Sequence, residues 1–438
     1  MTNPFQRRAN QDGRHTPNLW PVWLVAPGAL LLVALGAYVL YHGAELLLAS
    51  ETTGKGKKPV PVQDVIKTTV TVLTLAGAVL AALYAYRKQL LDEGTSHRAD
   101  ATQLTERYTK AAEQLGHEQA AVRLAGVYAM ARLADDWPEQ RQVCIDVLCA
   151  YLRMPYDTDS NAAGFRHGER EVRLTIIRII RSHLQDPTSA TTWCGRSLDF
   201  SGATFDGGDF SGVTFSGVGV NFRGAEFSGG TVDFSYVTFD GGLVEFSGAK
   251  FSGGQVDFHR ATLSSGAINF GLAELSSGQI RLVGMTLSGS QLSFHSVMVS
   301  GGRINFYKST FCDGLVDFDG AMLSGGTVDF SDTTSAGNKV DFSNAMLSDG
   351  QVEFSGAEFS GGQVDFHSAT FSGSRVDFNG AKFSGGQVDF DGAMFSGGQV
   401  DFHSATFSGS QVSFVSSQVR AAADIDWGPL PPVPVAQP

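Results

Sequence analysis

Residues 198–217 read LDFSGATFDGGDFSGVTFSG, in which phenylalanine recurs every five residues at Phe200, Phe205, Phe210 and Phe215. A small or aliphatic residue stands two positions before each phenylalanine. Because strand side chains alternate between two faces, each phenylalanine and the residue two before it point to the same side. This stretch therefore predicts stacked short strands around a phenylalanine core.

The repeat lengthens to twelve residues after Val218 and continues to Phe414. Phenylalanine keeps one column except at Leu282, and an apolar residue keeps a second column five residues later except at Ser335. Each unit holds two short strands whose middle residue points outward. Ser-Gly segments join the strands, since glycine accepts the positive φ that tight corners require.

One coil of this solenoid could contain twelve or twenty-four residues. The outward residue of the second strand alternates between units, and this alternation favours a twenty-four-residue coil with distinct faces. A flat twelve-residue coil and a gene duplication without structural meaning are the alternatives. Threonine occupies alternate units at Thr214, Thr238, Thr262, Thr286, Thr310 and Thr334, and the intervening units carry Glu226, Lys250, Glu274, Met298, Met322 and Met346. Beyond residue 346 a thirty-six-residue duplication shifts the pattern by half a coil, to Thr370 and Thr406.

The units at 198–217 resemble the pentapeptide-repeat family, whose units read Ala-(Asp/Asn)-Leu/Phe-x-x. The resemblance implies a right-handed, four-sided β-helix with the central residue and the one two before it pointing inward. Residues 107–116 and 122–129 add a likeness to actinobacterial membrane-anchored proteins with pentapeptide repeats. Most such proteins have no assigned activity, so the resemblance implies an interaction scaffold.

The predicted architecture is mainly β. A disordered basic N-terminus covers 1–19, and a two-helix transmembrane hairpin covers 20–88. A small all-α domain at 101–185 precedes the β-solenoid at 196–416, and a proline-rich disordered tail covers 417–438.

Two charge-free apolar runs predict the transmembrane helices. Residues 24–41 are dense in Leu, Val and Ala, with tryptophan and tyrosine near the ends, as membrane interfaces favour. The second run covers 68–86, where threonine hydroxyls can bond to the helix backbone. A cleaved signal peptide is the alternative for the first run. Six basic residues on the outer flanks against four in the loop predict a multi-pass protein of the bacterial cell membrane with both termini cytoplasmic.

The helical middle shows apolar residues at helical spacing, such as Leu104, Tyr108 and Leu115. The sequence Asp136-Trp137-Pro138 is typical of a helix start. The segment is interpreted as a module that starts the solenoid or packs on the membrane face. The alternative is a helical module that binds a partner.

The charge is concentrated in the repeat. Residues 201–416 contain 22 acidic and 9 basic residues, which gives this segment a net charge of 9 − 22 = −13. The whole chain has a formal net charge of −12, so the rest of it is close to neutral. Phosphate binding needs lysine and arginine, so direct binding of nucleic acid is not expected. The outward residue of the first strand is acidic in eight successive units, namely Asp317, Asp329, Asp341, Glu353, Asp365, Asp377, Asp389 and Asp401.

These acidic residues form the candidate interaction face, and a solvated face that prevents edge association is the alternative interpretation. The function expected is a non-enzymatic, membrane-anchored scaffold, with the lipid bilayer and an unidentified protein as partners. An acidic rod that mimics DNA and acts on a nucleic-acid enzyme such as gyrase is the second possibility, as for some pentapeptide-repeat proteins. The oligomeric state stays open.

No catalytic, cofactor or metal site is expected. The sequence contains no HExxH motif on a predicted helix and no GxSxG, P-loop or Rossmann motif. Four histidines follow core phenylalanines in widely separated units, which is typical of surface residues, and they are His259, His295, His367 and His403. The four cysteines lack a zinc spacing, so they are expected to be free thiols.

Overall fold

The computed structural model describes residues 62–217, residues 219–432 and eight separate positions between 28 and 42. The chain divides into two compact units, 1–106 and 107–438. The expected disordered N-terminus at 1–19, most of the first predicted span and the end of the tail at 433–438 lie outside the described residues.

The second predicted span lies in helix α1, Val62–Leu115, which is 54 residues long. Within 68–86, ten of nineteen positions are Thr, Ala or Gly, and seven are Val or Leu. Thr71 and Thr74 donate their hydroxyls to the helical carbonyls of Lys67 and Val70, as expected for helical threonines. Among the described residues, no helix combines the length and apolar character that a membrane crossing requires. The prediction of a multi-pass membrane location is therefore wrong, and the described residues do not support the two predicted transmembrane helices.

The helical module of the second unit follows the predicted periodicity. It contains α2 (Ala120–Asp136), a short 3-10 turn (Pro138–Gln140), α3 (Arg141–Arg153) and α4 (Glu169–Leu184). Its core includes Met130, Ile145 and Ile176, which are fully buried. The proline signal at 138 does mark a helix start, because proline fits the first turn without losing a hydrogen bond.

A buried ion pair joins α2 to α4. The Arg123 guanidinium lies 3.2 Å from the Glu169 carboxylate, and the arginine side chain is fully buried. Tyr151 donates its hydroxyl to Glu169 at 3.0 Å, and Arg123 donates to the carbonyl of His117 at 3.0 Å. These bonds satisfy charges that burial would otherwise make costly.

The module covers the first coil of the solenoid. Arg181 donates from Nε to the Ser211 carbonyl at 2.9 Å, and Arg170 pairs with Asp206 at 2.9 Å. Ile177 packs so close to Gly208 that a Cβ there would lie 2.9 Å from its Cδ1. Of the two predicted roles, the structure supports a module that starts the solenoid, because it shields an open strand edge.

Four parallel strand ladders build the solenoid, one on each side of a coil. The pairing offset is twenty-four residues, as in Gln255 with Gln279 and Gln279 with Arg303. The offset is twenty-two in the first coil, where Leu198 pairs with Val220, and twenty-five in the last, where Gln399 pairs with Asp424. The expectation of a twenty-four-residue coil is confirmed.

The solenoid has four faces, numbered 1 to 4 in the order in which the chain first reaches them. Face 1 contains Leu198–Asp199, Val220–Asn221, the second halves of Thr238–Glu245 and Thr262–Asn269, Gln291–Ser293, Leu315–Asp317, Lys339–Asp341, Gln363–Asp365, Gln387–Asp389 and Gln411–Ser413. Face 2 contains Thr204–Phe205, Glu226–Phe227, Lys250–Phe251, Glu274–Leu275, Met298–Val299, Met322–Leu323, Met346–Leu347, Thr370–Phe371, Met394–Phe395 and Gln418–Val419.

Face 3 contains Gly208–Asp209, Thr231–Asp233, Gln255–Asp257, Gln279–Arg281, Arg303–Asn305, Thr327–Asp329, Gln351–Glu353, Arg375–Asp377, Gln399–Asp401 and Asp424–Asp426. Face 4 contains Thr214–Ser216, the first halves of Thr238–Glu245 and Thr262–Asn269, Thr286–Ser288, Thr310–Cys312, Thr334–Ala336, Glu358–Ser360, Lys382–Ser384 and Thr406–Ser408.

The half-coil shift of the threonine pattern is confirmed at Thr370 but not at Thr406, which lies on the same face as Thr310 and Thr334. Met346 pairs with Thr370 on face 2, and Lys382 pairs with Thr406 on face 4. The ladder keeps its twenty-four-residue register through this region, so the duplication exchanged side chains between faces without disturbing the coil.

The core consists of phenylalanine columns that stack ring on ring, as the sequence predicts. Phe342 lies 4.8 Å from Phe318 and 5.1 Å from Phe366 between ring centroids, in nearly parallel planes. It also meets Phe330 and Phe354 edge to face at 6.2 Å. Stacked and edge contacts are the preferred aromatic geometries, so each coil holds the next.

The corners are of two kinds, which accounts for the unequal spacing of five and seven. In the short corner, Ala261 donates its backbone N–H to the Phe258 carbonyl at 2.9 Å, and Arg260 adopts a φ of 52°. The long corners carry glycines such as Gly326, where an added Cβ would meet Val299 at 2.2 Å. Close packing of successive coils therefore requires glycine at this corner.

Two strands follow residue 416, where the sequence suggests that the solenoid ends. Gln418–Val419 pairs with face 2 and Asp424–Asp426 pairs with face 3. The Trp427 ring then lies 5.4 Å from the Phe414 ring, between centroids. The first part of the expected tail thus adds to the ladder, before Pro429.

Candidate functional site

The predicted acidic series does not form one face. Because each coil contains twenty-four residues, units twelve apart lie on opposite sides of the solenoid. Face 1 receives Asp317, Asp341, Asp365 and Asp389, and face 3 receives Asp329, Glu353, Asp377 and Asp401. The structure therefore replaces one column of eight carboxylates with two columns of four.

Each aspartate in these columns also holds a corner of the coil. Asp329 accepts the backbone N–H of Ser331 at 2.9 Å, and Asp365 accepts that of His367 at 2.9 Å. Asp377 does the same for Asn379 at 2.8 Å. An aspartate that bonds two residues ahead stabilises a turn. These carboxylates are partly or largely covered, with Asp329, Asp365 and Asp377 buried.

Face 1 has a lysine between two of its carboxylates. Lys339 lies 2.7 Å from Asp341 and 3.0 Å from Asp365. Burial acts to lower the pKa of Lys339, but the bonds to both aspartates outweigh it and the pKa is raised. Burial likewise acts to raise the pKa of Asp341, and the bonds from Lys339 and Ser343 outweigh it, so this pKa is lowered.

Face 3 is compensated by arginines at two rungs. Arg303 lies 2.5 Å from Asp329, and Arg375 lies 3.0 Å from Asp377. Glu353 stands on the rung between those two aspartates. Its pKa is raised, first by burial and then by the negative charge of Asp377. The column therefore retains uncompensated negative charge at Glu353.

Face 2 carries a column of outward methionines, whose pattern in the sequence does not by itself indicate a role. Met298, Met322 and Met346 occupy successive rungs and point outward, with Met322 paired to both of the others. A shallow groove of about 480 Å³ runs along them, bordered by Ser300, Ser324 and other outward serines. The signal in the sequence was methionine at an outward position every twenty-four residues.

The predicted surface histidines lie at separate corners. His295 lies 3.3 Å from Asp319 and His403 lies 3.6 Å from Asp426. In the part of the chain that the structure describes, no group of three or more His, Cys, Asp or Glu side chains is arranged to hold a metal ion.

The four cysteines are free thiols, and two lie in the core of the helical module. Burial raises the pKa of Cys144 to about 11 and is the main cause that raises the pKa of Cys149 to about 12. Thiols with such pKa values are protonated and unreactive at neutral pH.

Comparison with known proteins agrees with this geometry. The model of pentapeptide repeats (9 copies) matches residues 194–238 and 354–406. No curated protein and no solved structure matches the chain. The matched repeats lie at both ends of the ladder, and the same four-sided coil continues through the unmatched residues between them. The chain therefore contains repeats of the pentapeptide type at these two segments.

Proposed function

We propose that this repeat scaffold is non-enzymatic and binds a basic protein partner through the carboxylate columns of faces 1 and 3. The observation that supports the proposal is the division of the carboxylates into two parallel rows with fixed spacing. Rungs of a parallel ladder lie about 4.8 Å apart, so each row is a rigid line of carboxylates. Lys339, Arg303 and Arg375 offset only part of their negative charge. Such lines favour association with positively charged surfaces.

The two columns can be tested separately. One variant changes Asp317, Asp365 and Asp389 to asparagine on face 1, and the other changes Asp329, Asp377 and Asp401 on face 3. Asparagine retains the oxygen that caps the corner, so the coil should persist while the charge is removed. Affinity capture with each full-length variant, analysed by quantitative mass spectrometry, identifies partners that depend on one column.

We expect capture of a salt-sensitive partner to be reduced in at least one of the two variants. Capture of the same partners by the original chain and by both variants would contradict the proposal. The columns would then act only as corner caps and solvating charge.

A DNA-mimic function is the second candidate. It is favoured by the placement of carboxylates on opposite sides of one rod, since a DNA duplex carries phosphates along both of its strands. Under this hypothesis, the full chain inhibits DNA supercoiling by gyrase, and both triple-asparagine variants inhibit less. Absence of inhibition by the original chain would eliminate this candidate without affecting the scaffold proposal.

A further inference from the structure

Face 2 differs from its neighbours in having an exposed apolar column. Met298, Met322 and Met346 are stacked on three rungs, and Met394 follows two rungs later. Met346 is 51% exposed, and the other methionines are half-buried. The core is filled by the inward side chains of the same strands, such as Leu323 and Leu347, so these methionines are not needed there.

The methionine column has no charge of its own in the described solenoid. From residue 298 to residue 396, the outward positions of face 2 carry only Met, Thr and Ser. Methionine is flexible and polarizable, and exposed methionines adapt to apolar partners of different shapes. A continuous apolar strip on a solvated surface marks an interaction site more often than chance.

Both flanks of the strip are acidic. Met322 lies between Asp317 of face 1 and Asp329 of face 3, and Met346 lies between Asp341 and Glu353. The corners add further carboxylates nearer the strip, with Asp319 and Asp391 on one side and the exposed Asp349 on the other. Lys339, Arg303 and Arg375 offset only part of this charge.

The length of the groove suits one apolar stripe of a short helix. It extends from Glu274 to Thr370, which covers five rungs. Four intervals of about 4.8 Å give a length of roughly 19 Å. A helix presents one side chain on a given stripe at about each 5.4 Å turn, close to the rung spacing. About 13 helical residues span that length, at roughly 1.5 Å each.

We propose that face 2 binds an amphipathic helix whose apolar stripe lies on the methionine column and whose flanking lysines or arginines meet the carboxylates of faces 1 and 3. The inference rests on the proposed scaffold function and names the class of partner. Helix-in-groove binding of this kind uses anchors at helical spacing together with charge complementarity.

The test measures fluorescence anisotropy of a labelled 18-residue peptide made of leucine and lysine, with leucine at i, i+3, i+4 and i+7 spacing. A scrambled peptide of the same composition lacks the stripe. The full chain is compared with the double variant Met322→Gln/Met346→Gln. The matched control is Thr310→Gln/Thr334→Gln, which changes outward residues on adjacent rungs of face 4. Circular dichroism checks that all variants keep the fold.

The striped peptide should bind the original chain, and the methionine variant should bind about tenfold more weakly. The threonine variant should bind within about twofold of the original, because its strands present no apolar strip. Equal binding by both variants, equal binding of the scrambled peptide or no binding by the original chain would overturn the inference. The scaffold proposal is decided separately by the asparagine variants, so the two can fail independently.

Discussion

Asp341 and Glu353 follow one another in the acidic series of the sequence but lie on opposite faces of the solenoid. Asp341 pairs with Asp317 and Asp365, whereas Glu353 pairs with Asp329 and Asp377. Their pKa values also move in opposite directions, downward for Asp341 and upward for Glu353. At neutral pH, an ionised carboxylate at this repeat position therefore stabilises the fold at Asp341 on face 1 and destabilises it at Glu353 on face 3.

Glu353→Gln is expected to stabilise the protein at pH 7. A carboxyl whose folded pKa is raised loses its proton first in the unfolded chain, so stability falls as the pH rises past the unfolded value of about 4.3. The amide removes this loss. Urea unfolding at pH 4 and pH 7 should show a gain in the free energy of unfolding only at the higher pH.

Asp341→Asn should change the stability in the opposite direction to Glu353→Gln and serves as its control. Because the pKa of Asp341 is lowered, its ionised form contributes stability above the unfolded pKa, and that contribution is lost as the pH falls through the folded pKa. The variant should be less stable than the original chain at pH 7 and should approach it in acid. The same sign for both variants would contradict the face-specific assignment.

Leu272→Gly should stabilise a corner. Leu272 is 62% exposed and has a φ of 59°, which a side chain with a Cβ adopts at a cost of about 1 kcal/mol. Glycine removes that strain, so the free energy of unfolding should rise by roughly this amount. The reverse change, Gly380→Leu, lies at φ 67° with open space around its Cβ. Gly380→Leu should lower the free energy of unfolding by a similar amount, measured by thermal unfolding. An unchanged stability would show that the backbone of the corner can shift to accommodate a side chain.

Ser335→Leu should stabilise the core. Ser335 pairs with Phe311 and Phe359, is buried, and has a hydroxyl without a hydrogen-bond partner among the described residues. Leucine occupies the same column at Leu263 and Leu287, which are both buried. Replacing the unpaired hydroxyl by an apolar group should add about 1–2 kcal/mol to the free energy of unfolding.

A matched control uses the outward serine of the next rung. Ser360→Leu lies on the exposed side of face 4 and should change stability by no more than about 0.5 kcal/mol. A loss of stability in Ser335→Leu would mean that Phe311 and Phe359 already fill the rung.

Breaking the buried ion pair of the helical module should be strongly destabilising. Arg123→Met leaves the Glu169 carboxylate without its arginine, at an expected cost of about 3–5 kcal/mol. The double variant Arg123→Met/Glu169→Gln should recover part of that loss. A double-mutant cycle by denaturant unfolding measures the coupling, and strictly additive losses would contradict a direct interaction.

Several features could be predicted from the sequence because they are local. The alternation around Phe258 determines which side chains enter the core, and the short corner at Arg260 follows from its spacing. Helices α2, α3 and α4 follow from apolar spacing and from the proline at 138. The twenty-four-residue coil was indicated by the alternation of threonine with other residues, although a twelve-residue coil satisfied the same core pattern.

Other features could not be derived from local pattern. The run at 68–86 is charge-free and was interpreted as a membrane span, but the structure has no helix among its described residues that meets that requirement. The corner-capping role of Asp329 and Asp365 was also missed, because a strand-only interpretation treats an outward aspartate as solvated charge.

The sequence by itself determined the strand repeat, the phenylalanine core and the excess of negative charge. Only the tertiary structure decided which units share a face, because that depends on the pairing of each strand with one twenty-four residues away. Asp317 thereby joins Asp341 rather than Asp329. The same stacking brings Met322 beside Met298 and Met346. Contacts between coils, which are distant in the chain, therefore separate two acidic columns and place the methionine strip between them.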